Sequence, residues 1–135
     1  MRRIGLVCGL LCSAVLPAQT TDYQADGLKA LDARQYQAAA ELFQKAVADQ
    51  PKDYAAHFHL ALAYSLIAKD TEAIPEYRTT LELKPGLYEA ELNLGICLLR
   101  TKDAAGAESM LKSASAQKPS EFRPTYYLAE SLLEQ

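Results

Sequence analysis

The sequence is poor in the residues that carry chemistry. It has two histidines, His57 and His59, two positions apart. On a helix such neighbours point to different faces, so they cannot share one metal ion. Glu89 and Glu91 have the same spacing, which argues against a paired-carboxylate site. There is no glycine-rich phosphate loop, and no nucleophile stands in a known catalytic setting. The Lys69-Asp70 and Lys102-Asp103 pairs suit turns and helix caps. The sequence therefore predicts no enzyme, no cofactor and no metal. Positive charge is also scarce. The formal net charge is −3 and no basic stripe runs along the chain, which argues against a nucleic-acid partner. Low-complexity runs are absent, and the apolar fraction of 50% is ordinary for one globular domain.

Long hydrophobic runs are missing too. The longest uncharged, mostly apolar stretch is Ile4 to Leu16, too short to span a bilayer comfortably as a helix. It follows Arg2-Arg3 and precedes Pro17-Ala18-Gln19, the layout of a secretory signal peptide. Residues 1–18 are therefore expected to be cleaved, and the product to be exported to a periplasm or secreted, with no membrane span left. Leu16 sits where the cleavage motif favours a small residue. Leu10 and Leu11, before Cys12, are bulkier than a lipid-attachment site prefers. Losing the two arginines leaves a net charge of −5. Cys8 and Cys12 leave with the leader, so Cys97 remains without an internal disulfide partner. Within Leu94-Gly95-Ile96-Cys97-Leu98-Leu99 it reads as a small buried hydrophobe.

What the rest of the chain has is a period. Pro51, Pro85 and Pro119 are 34 residues apart. The same step relates Ala39, Ala73 and Ala107, then Phe43, Tyr77 and Leu111. It also relates Gly27, Ala61, Gly95 and Ala129, and Leu60, Leu94 and Leu128. A single period that aligns small, large and proline positions marks a repeat solenoid. Apolar residues recur at three- and four-residue steps, so each repeat is a pair of amphipathic helices. The expected helices are 22–33 and 36–49, 54–68 and one that starts after a cap at Asp70 or Thr71 and runs to 83, 88–101 and 104–117, and a last one over 121–135. Asp53 and Asp103 are expected as N-caps, as is Asp70 or Thr71. Pro75 is expected in a first turn, where its missing donor costs nothing. The repeats run over about 20–53, 54–87 and 88–121, with a half repeat at 122–135. The fold class is all-α, a right-handed α-solenoid of antiparallel helix pairs over residues 19–135.

These columns resemble the tetratricopeptide repeat family. Tyr23, Gly27, Ala39, Phe43, Ala46 and Pro51 fit its pattern. So do Leu60, Ala61, Tyr64, Ala73, Tyr77 and Pro85, and then Leu94, Gly95, Ala107, Leu111, Ala114 and Pro119. His57, Glu91 and Thr125 depart from it in an aromatic column. The resemblance implies that the first helix of each pair lines a concave surface that holds a peptide or a partner helix. It puts Gln24 and Leu28 there, with Phe58, Leu62, Leu92, Asn93, Ile96, Leu99 and Tyr126. Phe58, Leu62 and Ser65 also share one helix face by spacing, as do Leu92, Ile96 and Leu99. Such an apolar strip marks an interaction surface unless the chain's own continuation or core covers it. Leu28, Phe58, Leu62, Leu92 and Ile96 stand where relatives that clamp a carboxylate place Lys, Arg and Asn. Asn93 alone hints at that pattern, so no carboxylate clamp is expected.

The expected function is an exported scaffold for protein–protein interaction through an apolar concave groove. The alternative is the N-terminal repeat module of a longer exported enzyme or envelope-assembly factor whose chemistry lies beyond Gln135. Tyr127, Leu128 and Leu132 present an unpartnered apolar face at the C-terminal end. Self-association through that end is a further expectation.

Overall fold

A computed structural model describes residues 21–134, so the leader expected at 1–18 lies outside the described residues. Seven α-helices and no strands are present among them: α1 Tyr23–Asp32, α2 Tyr36–Asp49, α3 Tyr54–Leu66, α4 Asp70–Leu83, α5 Tyr88–Arg100, α6 Ala104–Gln117 and α7 Phe122–Leu133. Each helix packs against the next. In addition α1 touches α3, α3 touches α5 and α5 touches α7, while the even-numbered helices do not touch one another. The odd helices therefore converge and the even ones splay. That is an α-solenoid whose concave side is formed by α1, α3, α5 and α7.

The small and large columns meet within each pair. A Cβ added to Gly27 would stand 2.6 Å from Phe43 Cε1, and one added to Gly95 would stand 2.5 Å from Leu111 Cγ. The two helices approach so closely that the large side chain of the second lies where the first has none. Ala61 and Tyr77 occupy the same columns in the second repeat and belong to one buried cluster. Phe43 also wedges against the following repeat. Its ring stacks on His59 of α3 at 5.3 Å between centroids. At the fourth position Ala129 is exposed, because no second helix faces α7 among the described residues.

The turns inside the three repeats are alike. Arg34, Ala68 and Lys102, 34 residues apart, all take left-handed backbone angles, with φ of 58°, 58° and 67°. The amide of the following residue then reaches back five positions: Gln35 to Ala30, Lys69 to Tyr64 and Asp103 to Leu98, at 2.8–2.9 Å. This closes the carbonyls left open at the helix end. Asp53 and Asp103 cap as expected, accepting from the amides of Ala55 and Gly106. The start of α4 differs. Neither Asp70 nor Thr71 is its N-cap; Lys69 holds that place without a side-chain bond, and Asp70 is already helical. Pro75 is consequently the sixth residue of α4, outside the first turn, and the helix continues through it. Pro124 does fall in the first turn of α7. Helix α3 ends at Leu66 rather than Ala68, because the left-handed turn requires Ala68.

The polar residues of the aromatic column are all engaged. His57 Nδ1 lies 2.6 Å from Glu76 Oε2 and its Nε2 lies 2.9 Å from the Pro51 carbonyl. Gln117 donates to Glu91 at 2.7 Å, and the Ser115 and Thr125 hydroxyls are 3.3 Å apart. Buried polar side chains survive in a core when each finds such a partner.

Replacing Gly95 by alanine forces Leu111, which is fully buried, out of its place. The expected loss is about 1–3 kcal/mol of unfolding free energy, read as a lower urea midpoint with the helical content of the folded state unchanged.

Candidate functional site

Among the depressions between or beside the concave helices, three bear on the expected groove. One is lined by Asp22, Gln24, Ala25, Leu28, Gln50 and Asp53. The second lies between α3, α5 and α7 and measures about 290 Å³. Leu62, Ser65 and Leu66 form one wall, Asn93, Ile96, Cys97 and Arg100 the next, and Arg123 and Tyr127 the third. The third depression adjoins it, sharing Ile96, Arg100 and Tyr127, and adds Leu99, Lys102, Glu130 and Glu134.

The residues expected to line a groove are distributed over these features and the core. Gln24 and Leu28 share the first depression, and Leu28 is exposed. Leu62, Asn93 and Ile96 come together in the second. Leu92, Ile96 and Leu99 are only 4%, 7% and 6% exposed. Helix α5 packs chiefly on α4 and α6 and also touches α3 and α7, and nine of its thirteen residues are buried. The exposed apolar strip is therefore interrupted at its centre. Phe58 turns toward the core and makes edge contacts with Tyr77 and His59, at 5.9 and 5.5 Å between centroids. Tyr126 is 52% exposed and stands beside Phe122 and Tyr127, outside the three depressions. Its neighbour Tyr127 lines two of them instead.

Arg100 and Arg123 were not among the expected groove residues, yet both reach the central cleft. They are 23 positions apart on helices that only the fold brings side by side. Arg100 bonds Asp70 at 3.3 Å across the α4–α5 junction. Cys97 is buried behind the same cleft. Burial, with the nearby Asp70 carboxylate adding to it, pushes its thiol up to about 12. It is an inert packing group, as its apolar sequence setting suggested. His59 has a buried Nδ1 with no hydrogen-bond partner. Burial lowers its pKa from the ordinary 6.5, against the opposing pull of Asp53. Among the described residues no group of His, Cys, Asp and Glu could hold a metal ion. No described helix is long and apolar enough to cross a membrane.

Two models of the tetratricopeptide repeat match the chain, one over residues 25–87 and one over 71–135. The chain belongs to the tetratricopeptide repeat family. Among curated proteins it is similar to DnaJ homolog subfamily C member 3 of Rattus norvegicus, at 33% identity over 95 residues, and to that of Bos taurus at 32%. The match covers 70% of this chain and 19% of each relative, so the chain spans about a fifth of their length. Three solved structures share the fold. The first TPR of Spaghetti (RPAP3) bound to the HSP90 peptide SRMEEVD superposes with a TM-score of 0.78 at 17% identity, covering 82% of this chain and 88% of that one. The Yersinia enterocolitica type III secretion chaperone SycD, in complex with a peptide of the translocator YopD, gives 0.75 at 20%, covering 83% and 91%. A MamA structure, MSR-1 C2, gives 0.79 at 22%, covering 89% and 71%.

The depressed pKa of His59 makes stability depend on pH. The unfolded chain takes up this proton at about 6.5, while the folded chain resists it. The stabilising contribution is complete above that value and is lost as pH falls toward the folded pKa. Urea midpoints should therefore drop between about pH 7.5 and pH 5. The drop should be smaller in His59→Gln, which cannot take up the proton.

Proposed function

We propose that this protein is an exported scaffold that holds a polypeptide along its concave face, without chemistry of its own. The observation that carries the reading is that residues of the converging helices α1, α3, α5 and α7 line three depressions. Each offers apolar side chains beside polar groups, the usual make-up of a site for a peptide segment. Support also comes from RPAP3 and SycD, which carry bound peptides on the same fold. Export rests on the N-terminal sequence pattern.

The groove is tested by Leu28→Glu and Leu62→Glu. Both residues keep part of their surface exposed, so the helices should form normally. Each change is expected to weaken capture of peptides from a displayed random library, while an acidic residue placed at Lys112, on the exposed side of α6, leaves capture unchanged. Equal capture by all four proteins would remove the groove as the binding surface. Export is tested by fusing residues 1–25 to a phosphatase that is active only outside the cytoplasm. Activity, with loss of the leader by mass, is expected.

A further inference from the structure

Helix α7 carries an exposed line of apolar side chains. Phe122, Tyr126 and Leu133 are 75%, 52% and 88% exposed, and Ala129 between them is exposed too. They stand at i, i+4, i+7 and i+11, so they run down one face over the whole helix. Pro124 and Ser131, both buried, lie on the opposite face. Tyr127 and Leu128, expected in an open apolar face, instead pack against the core cluster.

One repeat earlier the same line is core. Tyr88, Leu92, Gly95 and Leu99 stand 34 positions before these residues. There Leu111 of α6 lies against Gly95, and Leu92 and Leu99 are buried. In the second repeat Ala61 and Tyr77 hold the small and large columns in one buried cluster. Helix α7 thus exposes the side chains that a second helix covers elsewhere in the fold.

The order of residues in the line fits a second copy of itself. Its steps of four, three and four read the same from either end, as an antiparallel pair of like helices requires. A second α7 laid antiparallel, about a two-fold axis at mid-helix, sets Tyr126 on the second copy's Ala129 and Phe122 on its Leu133. Each contact then occurs twice. A small residue again receives a large one, and alanine receives tyrosine, the pair of residues that the second repeat uses. A parallel pair would set Tyr126 on Tyr126 and leave Ala129 facing Ala129. Charge agrees with the antiparallel order. Arg123 and Glu130 flank the line on one side, and neither has an ion pair among the described residues. Across the axis Arg123 of each copy lies beside Glu130 of the other, so two opposite-charge contacts frame the apolar seam.

We propose that the protein forms a two-fold dimer through α7, with Tyr126 of each copy seated on Ala129 of the other and Phe122 and Leu133 closing the ends. The helix has 12 residues, so the seam is short and the dimer reversible. The inference concerns the end face of the solenoid and stands independently of the peptide reading of its concave face.

The test is sedimentation equilibrium of the full 135-residue chain over a range of concentrations, with each variant checked for native circular dichroism. The unaltered chain is expected to show a reversible monomer–dimer equilibrium. Tyr126→Glu, at a half-exposed position, should leave monomers at the concentrations where the unaltered chain is dimeric. Arg123→Glu and Glu130→Arg should each weaken the dimer about tenfold. Combining them should restore it, because the two charges then exchange places across the axis. Monomers at every concentration would overturn the inference and leave the line to a helix of another protein. A dimer indifferent to Tyr126→Glu would overturn it as well, since another surface would then hold the copies together. Assemblies that keep growing with concentration would mean a head-to-tail contact in place of the two-fold one. Loss of the dimer in Tyr126→Glu without rescue by the charge exchange would overturn the antiparallel pairing.

Discussion

In the first and third helix pairs a residue without a side chain faces a large one. Gly27 lies under Phe43 and Gly95 under Leu111, so near that a methyl group would not fit between them. That contact sets the distance between the helices of a pair. Those distances fix the angle at which one pair meets the next, and the accumulated angle lets the odd helices converge. The concave face, its depressions and the nearness of Arg100 to Arg123 all follow from where these small residues stand. The curvature of a solenoid is set by such local packing, because each repeat touches only its neighbours.

Most of this was legible because repetition makes the sequence check itself. One helix pattern is ambiguous, but three in phase are not, and α2 and α6 have the bounds the sequence predicts. Misses occurred where the backbone does something its residues do not advertise. Arg34, Ala68 and Lys102 adopt left-handed angles with no glycine to announce them. The turn at Ala68 shortens α3, and α4 then begins early enough to put Pro75 in its interior. The groove was harder to read than the fold. Helical spacing puts Leu92, Ile96 and Leu99 on one face, but it does not show that the helices around α5 bury them. Nor does spacing along one helix bring Arg100 to Arg123, since that pairing exists only across two helices.

Tyr77 illustrates how one residue can answer to two demands. Its ring fills the place that Phe43 and Leu111 fill in the other repeats, so packing alone would accept phenylalanine. The hydroxyl adds nothing to that packing and stands among Ser65, Asn93, Cys97 and Arg100. Burial makes its ionisation harder, so it remains a donor at any ordinary pH. A repeat position that looks purely structural in sequence thus carries a polar group to the back of the cleft.

The buried side chains fall into two clusters. One is built on α1, α2 and α3, and the other is centred on α5. Tyr64 packs against both, and its hydroxyl accepts a hydrogen bond from Gln44. The first hairpin is thus joined to the remainder through a single helix, α3. Local opening follows such seams, with each unit exchanging its amide protons at its own free energy. The molecule is then a short chain of coupled segments rather than one all-or-none block, and α3, which carries both the seam and one wall of the cleft, transmits the opening of the leading hairpin to the cleft.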